Sequence, residues 1–125
     1  MAKKILLVDD EVTLLETLSE ALEITGYEVT IAMNGQDGIE KFEAGTFDLV
    51  ITDMFMSKLN GLRLLEVIRK STNDVPVILM TGHTLSKDEI SYFPQKPDAY
   101  ITKPFTIASM NKLITELFEK KTIKL

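Results

Sequence analysis

The sequence has no cysteine, which excludes a disulfide framework and a thiolate zinc site and is compatible with an intracellular home. It has one histidine, His83, so no second imidazole is available to share a metal with it, and the residue reads as a solvated loop position. Basic runs are missing too. Beyond pairs such as Lys3-Lys4 and Lys120-Lys121, the 14 basic residues are outnumbered by 19 acidic ones, for a net charge of −5, which argues against direct nucleic-acid binding. No apolar run approaches the roughly 18 residues of a membrane span, and Met1 to Lys4 lead straight into a strand pattern with no signal-peptide layout. The expectation is a cytoplasmic protein that engages neither nucleic acid nor membrane directly. A chain of 125 residues with 45% hydrophobic content fits one domain with one core; that core is expected over about residues 3–120, ahead of a short tail.

What the sequence does contain is a repeated conflict. The stretch ILLVDDE sets Leu6, Leu7 and Val8, which favour burial, directly before Asp9, Asp10 and Glu11, each costly to bury unpaired. FDLVITD repeats the pattern and ends at Asp53. VPVILMT ends at Thr81, and AYITKPF at Lys103-Pro104. Between these runs lie helical spacings. Val12, Leu15, Leu18, Ala21, Leu22 and Ile24 form one stripe, with Gly26 as its stop; Asn34-Gly35 opens a second helix, which Gly45 closes. A third helix follows Asn60-Gly61. Ser86 to Glu89 has capping-box spacing for a fourth, kept short by Pro94 and Pro97. Ile107, Met110, Leu113, Ile114, Leu117 and Phe118 mark a fifth, and the tail KKTIKL is expected to fray.

Five strand patterns alternating with five helices describe an α/β fold, a doubly wound five-stranded parallel sheet with strands buried on both faces. In such sheets the site lies beyond the carboxyl ends of the strands, where strand order reverses. With order 2-1-3-4-5, Asp9, Asp10 and Asp53 meet in one cleft, and Thr81 and Lys103 line its far side.

Clustered carboxylates repel: each pair at about 4 Å costs on the order of 4 kcal/mol at an effective dielectric of 20. A cation must offset this. Oxygen ligands with room for water suit Mg²⁺ or Mn²⁺, and such an ion templates a phosphoryl oxygen. A carboxylate is then able to form an acyl phosphate, while a lysine and a threonine hydroxyl clamp the equatorial oxygens.

VDDE, VITDMFMS, ILMTG and YITKPF, in this order and spacing, resemble the receiver domain of two-component response regulators, a flavodoxin-like (βα)5 family, over about residues 3–120. The resemblance implies that Asp53 is the phospho-acceptor and that Asp10 and Asp53 bind Mg²⁺ or Mn²⁺, with Asp9 contributing through water and Phe55 through its backbone carbonyl. It implies that Lys103 pairs with phosphoryl oxygens, that Thr81 moves to bond one of them, and that Tyr100 is the switch aromatic. The implied donor is a sensor histidine kinase or a histidine phosphotransfer protein. A downstream protein or effector domain then engages the switched face, and weak dimerisation on phosphorylation is a further expectation. The chain is expected to catalyse only its own phosphoryl transfer and dephosphorylation. A cis bond between Lys103 and Pro104 is typical of the family. If the chain is complete, the lack of an effector domain favours a phosphorelay carrier or a diffusible regulator.

Two departures qualify the match. Ser57 replaces the usual proline, which removes a φ restraint from the loop, and SYFPQKPDAY carries two prolines where a longer fourth helix is usual. Glu11 reads as a helix N-terminal acid favoured by the macrodipole. Rival functions fare worse. An aspartyl-nucleophile phosphatase of the haloacid dehalogenase type needs an acid two residues past its nucleophile, where this chain has Phe55. A flavodoxin-like carrier needs a Ser/Thr/Gly-rich phosphate loop where this chain has Asp9-Asp10-Glu11. A non-phosphorylated binding module of the same fold has no need of all these site residues together.

Overall fold

The computed structural model describes residues 2–56, 60–72 and 74–123, with side chains through Lys120. Strand and helix alternate throughout: β1 (Lys4–Val8), α1 (Val12–Thr25), β2 (Glu28–Ala32), α2 (Gly35–Ala44), β3 (Leu49–Asp53), α3 (Gly61–Ser71), β4 (Val77–Thr81), α4 (Lys87–Ser91), β5 (Ala99–Thr102) and α5 (Ile107–Ile123). The sheet is parallel with order β2-β1-β3-β4-β5. This is the order expected from the sequence.

Burial explains why the apolar runs were continuous. Successive strand residues point to opposite faces, and both faces are covered. Ile5, Leu7, Leu49, Ile51, Ile78 and Met80 pack against α1 and α5 through Leu15, Leu18, Leu22, Met110 and Ile114. Leu6, Val8, Val50 and Val77 pack against α2 and α3 through Phe42, Leu64, Leu65 and Ile68. Every residue of β3 and β4 is buried, whereas the edge strands β2 and β5 are mostly half-covered. Among the described residues no helix is long and apolar enough to cross a membrane.

The helix boundaries follow local chemistry. Gly26 ends α1 at φ 115°, a left-handed conformation that costs glycine little. Asn34 and Asn60 cap α2 and α3, their side chains accepting from the amides of Asp37 and Arg63. The capping box read from Ser86 and Glu89 is present at α4, which is five residues long and buries none of them. Thr106 and Ser109 cap α5 by exchanging side-chain and backbone bonds. Gly45 closes α2 as expected, in an extended conformation with φ −127°. One reading needs correction: the tail expected to fray from Lys120 continues α5 as far as Ile123. The position of Ser57 lies outside the described residues.

Candidate functional site

The register of the central strands builds the site. Val8 stands opposite Thr52 in the β1–β3 pair, so the next residues, Asp9 and Asp53, emerge side by side at the carboxyl edge. Beyond β5, the Lys103 amide donates to the Thr81 carbonyl at 2.7 Å, extending the pairing by one step and carrying Lys103 over the acids. The Lys103–Pro104 bond is cis, as expected.

Asp9, Asp10 and Asp53 offer carboxylate oxygens that all lie within 4.8 Å of one another. Asp9 is fully buried and Asp53 is 9% exposed, while Asp10 is exposed. The Lys103 ammonium stands 2.8 Å from Asp9 Oδ2, 3.3 Å from Asp53 Oδ2 and 4.0 Å from Glu11 Oε1. The far-side lysine of the sequence reading thus reaches into the cluster and joins two of its acids. The other Asp9 oxygen, Oδ1, accepts from the Glu11 amide at 2.9 Å, so both Asp9 oxygens are engaged.

Among the described residues, the Lys103 ammonium stands against three clustered carboxylates. Burial, and then the charge of Asp9, push the Asp53 carboxyl above the usual carboxylate range against the opposing pull of Lys103. Burial alone would lower Lys103, yet its bonds and attraction to Asp9 and Asp53 outweigh that and raise it. The excess of negative charge, carried on hard oxygen donors, suits a divalent cation such as Mg²⁺. Thr81 closes β4 almost wholly buried, and its hydroxyl donates to the His83 carbonyl at 2.7 Å. Tyr100 on β5 is half-buried, its hydroxyl enclosed without a hydrogen-bond partner among the described residues, and its ring lies 6.4 Å from that of Phe93. Phe55 is 62% exposed.

Sequence reasoning missed three contacts. A Cβ on Gly61 would lie 2.2 Å from the Asp53 carbonyl oxygen, so glycine is required where α3 begins against the end of β3; Asn60-Gly61 had signalled only a turn. Glu11, read as a helix-end acid, forms no side-chain cap and instead faces Lys103. His83, read as solvated, is exposed but lies 3.0 Å from Glu89 through its ring. A cavity of about 340 Å³ lined by Glu11, Leu14, Lys103, Pro104 and Phe105 adjoins the cluster.

The family model for the response regulator receiver domain matches residues 5–115. The chain belongs to that family. Among curated relatives, the transcriptional regulatory protein DltR of Streptococcus agalactiae serotype III is 34% identical over 82% of this chain and 46% of its own length. This receiver spans about half the length of the curated relatives it matches. Among solved structures, a CheY-like receiver domain protein from Methanospirillum hungatei JF-1 is 30% identical with a TM-score of 0.92, both chains being covered completely. The response regulator TrrA from Thermotoga maritima, in complex with Mg(2+)-BeF, is 36% identical over 92% of this chain and 98% of its own, with a TM-score of 0.82. The receiver fold and its place in two-component signalling, read from four short motifs, are borne out.

Proposed function

We propose that this receiver accepts a phosphoryl group on Asp53 from a phosphohistidine and switches the face carrying Thr81 and Tyr100. The observation that carries the reading is the placement of Lys103, within 3.3 Å of Asp53 and 2.8 Å of Asp9, over three clustered acids. An Asp53 oxygen attacks phosphorus; the new P–O bond forms as the P–N bond breaks, and the departing imidazole takes a proton from solvent. Lys103, held charged, stabilises the equatorial oxygens. Asp10 and Asp53, with Asp9 through water and the Phe55 carbonyl, are the residues that would hold Mg²⁺ or Mn²⁺, which neutralises charge between the acids and the anionic donor. The outer role of Asp9 is supported by the commitment of both its oxygens, to Lys103 and to the Glu11 amide.

In this reading residues 1–125 act as a single receiver domain in the cytoplasm. The donor is a sensor histidine kinase or a histidine phosphotransfer protein. The chain catalyses its own phosphoryl transfer and dephosphorylation and no other reaction. Incubation with acetyl phosphate and Mg²⁺ should add one phosphoryl mass, absent in Asp53→Asn and in the presence of chelator. Equal labelling of the variant would overturn the assignment.

A further inference from the structure

We propose that His83 and Glu89 form a restraint that keeps the Thr81 hydroxyl turned away from the acid cluster, so that this pair sets how readily the receiver switches. The inference rests on the reading of Asp53 as the acceptor. Thr81 is the last residue of β4, and its hydroxyl is occupied by the carbonyl of His83, two residues on, at 2.7 Å. The ring of the same histidine meets Glu89 Oε2 at 3.0 Å. The other oxygen of Glu89 accepts from the Ser86 amide at 3.0 Å, and the Ser86 hydroxyl accepts from the Glu89 amide at 3.1 Å. The segment between β4 and α4 is therefore closed at both ends through one residue: the His83 backbone holds Thr81, and its side chain holds the first turn of α4.

The setting gives these polar contacts leverage. No residue of α4 is buried, so the core does not fix the helix in place, and a Cβ on Gly82 would meet nothing within 4 Å, which leaves space for the loop to shift. Glu89 titrates below the ordinary carboxylate range, chiefly through its bond to His83 and then through Ser86, in keeping with a carboxylate that both partners hold ionised. Turning the Thr81 hydroxyl toward a phosphoryl oxygen breaks its bond to the His83 carbonyl, an exchange made easier by movement of the loop that carries that carbonyl. A ring tied to Glu89 opposes that movement. His83 and Glu89 are thus positioning residues acting through Thr81, and neither is placed at the reacting atoms.

Binding of beryllofluoride, a phosphoryl mimic, with Mg²⁺ tests this at equilibrium. His83→Ala should tighten binding about two- to fivefold, the scale of an exposed side-chain hydrogen bond, and the gain should vanish in a Thr81→Ala background, as a double-mutant cycle requires of coupled residues. Glu89→Gln, which retains capping geometry, should act in the same direction. In the unliganded protein, the Thr81 methyl resonance should move toward its liganded position in His83→Ala, a shift that loss of a merely structural contact would not produce. Equal affinity of parent and His83→Ala, or a gain that survives Thr81→Ala, overturns the inference alone. Failure of the parent to bind beryllofluoride, or equal binding by Asp53→Asn, overturns the acceptor reading and this inference with it.

Discussion

Replacing Asp53 by asparagine should stabilise the fold when no divalent cation is present. Asp9, Asp10 and Asp53 hold oxygens within 4.8 Å of one another, and at an effective dielectric of 20 each repulsion at that distance costs about 3.5 kcal/mol. Lys103 offsets part of this at 3.3 Å from Asp53, an attraction of about 5 kcal/mol on the same scale. Among the described residues the two repulsions exceed the one attraction by about 2 kcal/mol, and dehydration of a carboxylate only 9% exposed adds to the deficit. Asparagine keeps the shape, removes the charge and leaves Lys103 its 2.8 Å bond to Asp9. The expected gain is about 1 to 3 kcal/mol, or about 3 to 10 °C in Tm for a chain of this size.

The sign with pH follows from the direction of the Asp53 shift. Its carboxyl is raised from the ordinary value of 3.8, by burial first and Asp9 next, so the folded state holds the proton more tightly than the unfolded chain does. The parent is therefore favoured at low pH and loses that stability as pH rises from the ordinary value through the raised one. The advantage of Asp53→Asn should grow across that window and stay level above it. Urea unfolding of both proteins in chelator, from about pH 3 to pH 8, measures it. Mg²⁺ at 100 times its dissociation constant should return about 2.7 kcal/mol to the parent and less to the variant, which lacks one carboxylate. A variant less stable than the parent in chelator, or a difference that does not change with pH, would refute the claim that these acids are held against repulsion.

Lys103→Met should destabilise the chain by about 3 to 5 kcal/mol in urea, because it leaves the fully buried Asp9 without its cation; a neutral result would mean that the contact between Lys103 and Asp9 does not support the fold. Gly61→Ala forces a methyl to within 2.2 Å of the Asp53 carbonyl oxygen. It should cost at least about 2 kcal/mol and displace the Asp53 amide resonance, and retention of both would show that α3 yields instead. Phe55, 62% exposed and two residues past Asp53, has no polar side-chain atom to orient water. Slow loss of phosphate is expected in the parent and a severalfold faster loss in Phe55→Asn; equal decay of the labelled proteins would place control of the water elsewhere.

The parts of the fold that were legible are those where one physical rule dominates. β1, β3 and β4 read as apolar runs because both of their faces are covered, and Ser86 with Glu89 read as a cap because the pattern is local. Lys120 to Ile123 read as a fraying tail because the segment offers little to bury, but a helix already formed extends at little cost through lysine-rich sequence, and α5 reaches Ile123. Gly45 marked the end of α2 correctly, because glycine is, after proline, the costliest residue to hold inside a helix and is favoured where one ends.

The same division runs through the site. Asp9, Asp53 and Lys103 were legible as a group because each lies at or just past the end of a strand, and parallel register delivers strand ends to one edge. The partners of those groups depend on the paths of loops, which no periodicity encodes. Lys103 spans Asp9 and Asp53 because its backbone continues the β4–β5 pairing by one residue before Pro104 turns the chain. Glu11 comes within 4.0 Å of Lys103 because only three residues separate β1 from α1, so the acids of that short turn share one space. His83 reaches Glu89 because α4, anchored by no buried residue, begins close to the end of β4. The order of the strands therefore determines which chemical groups assemble, and the shortness of the connections determines how they pair. The pairing is where this receiver differs from a bare list of family residues, and it is where the energetic consequences argued above arise.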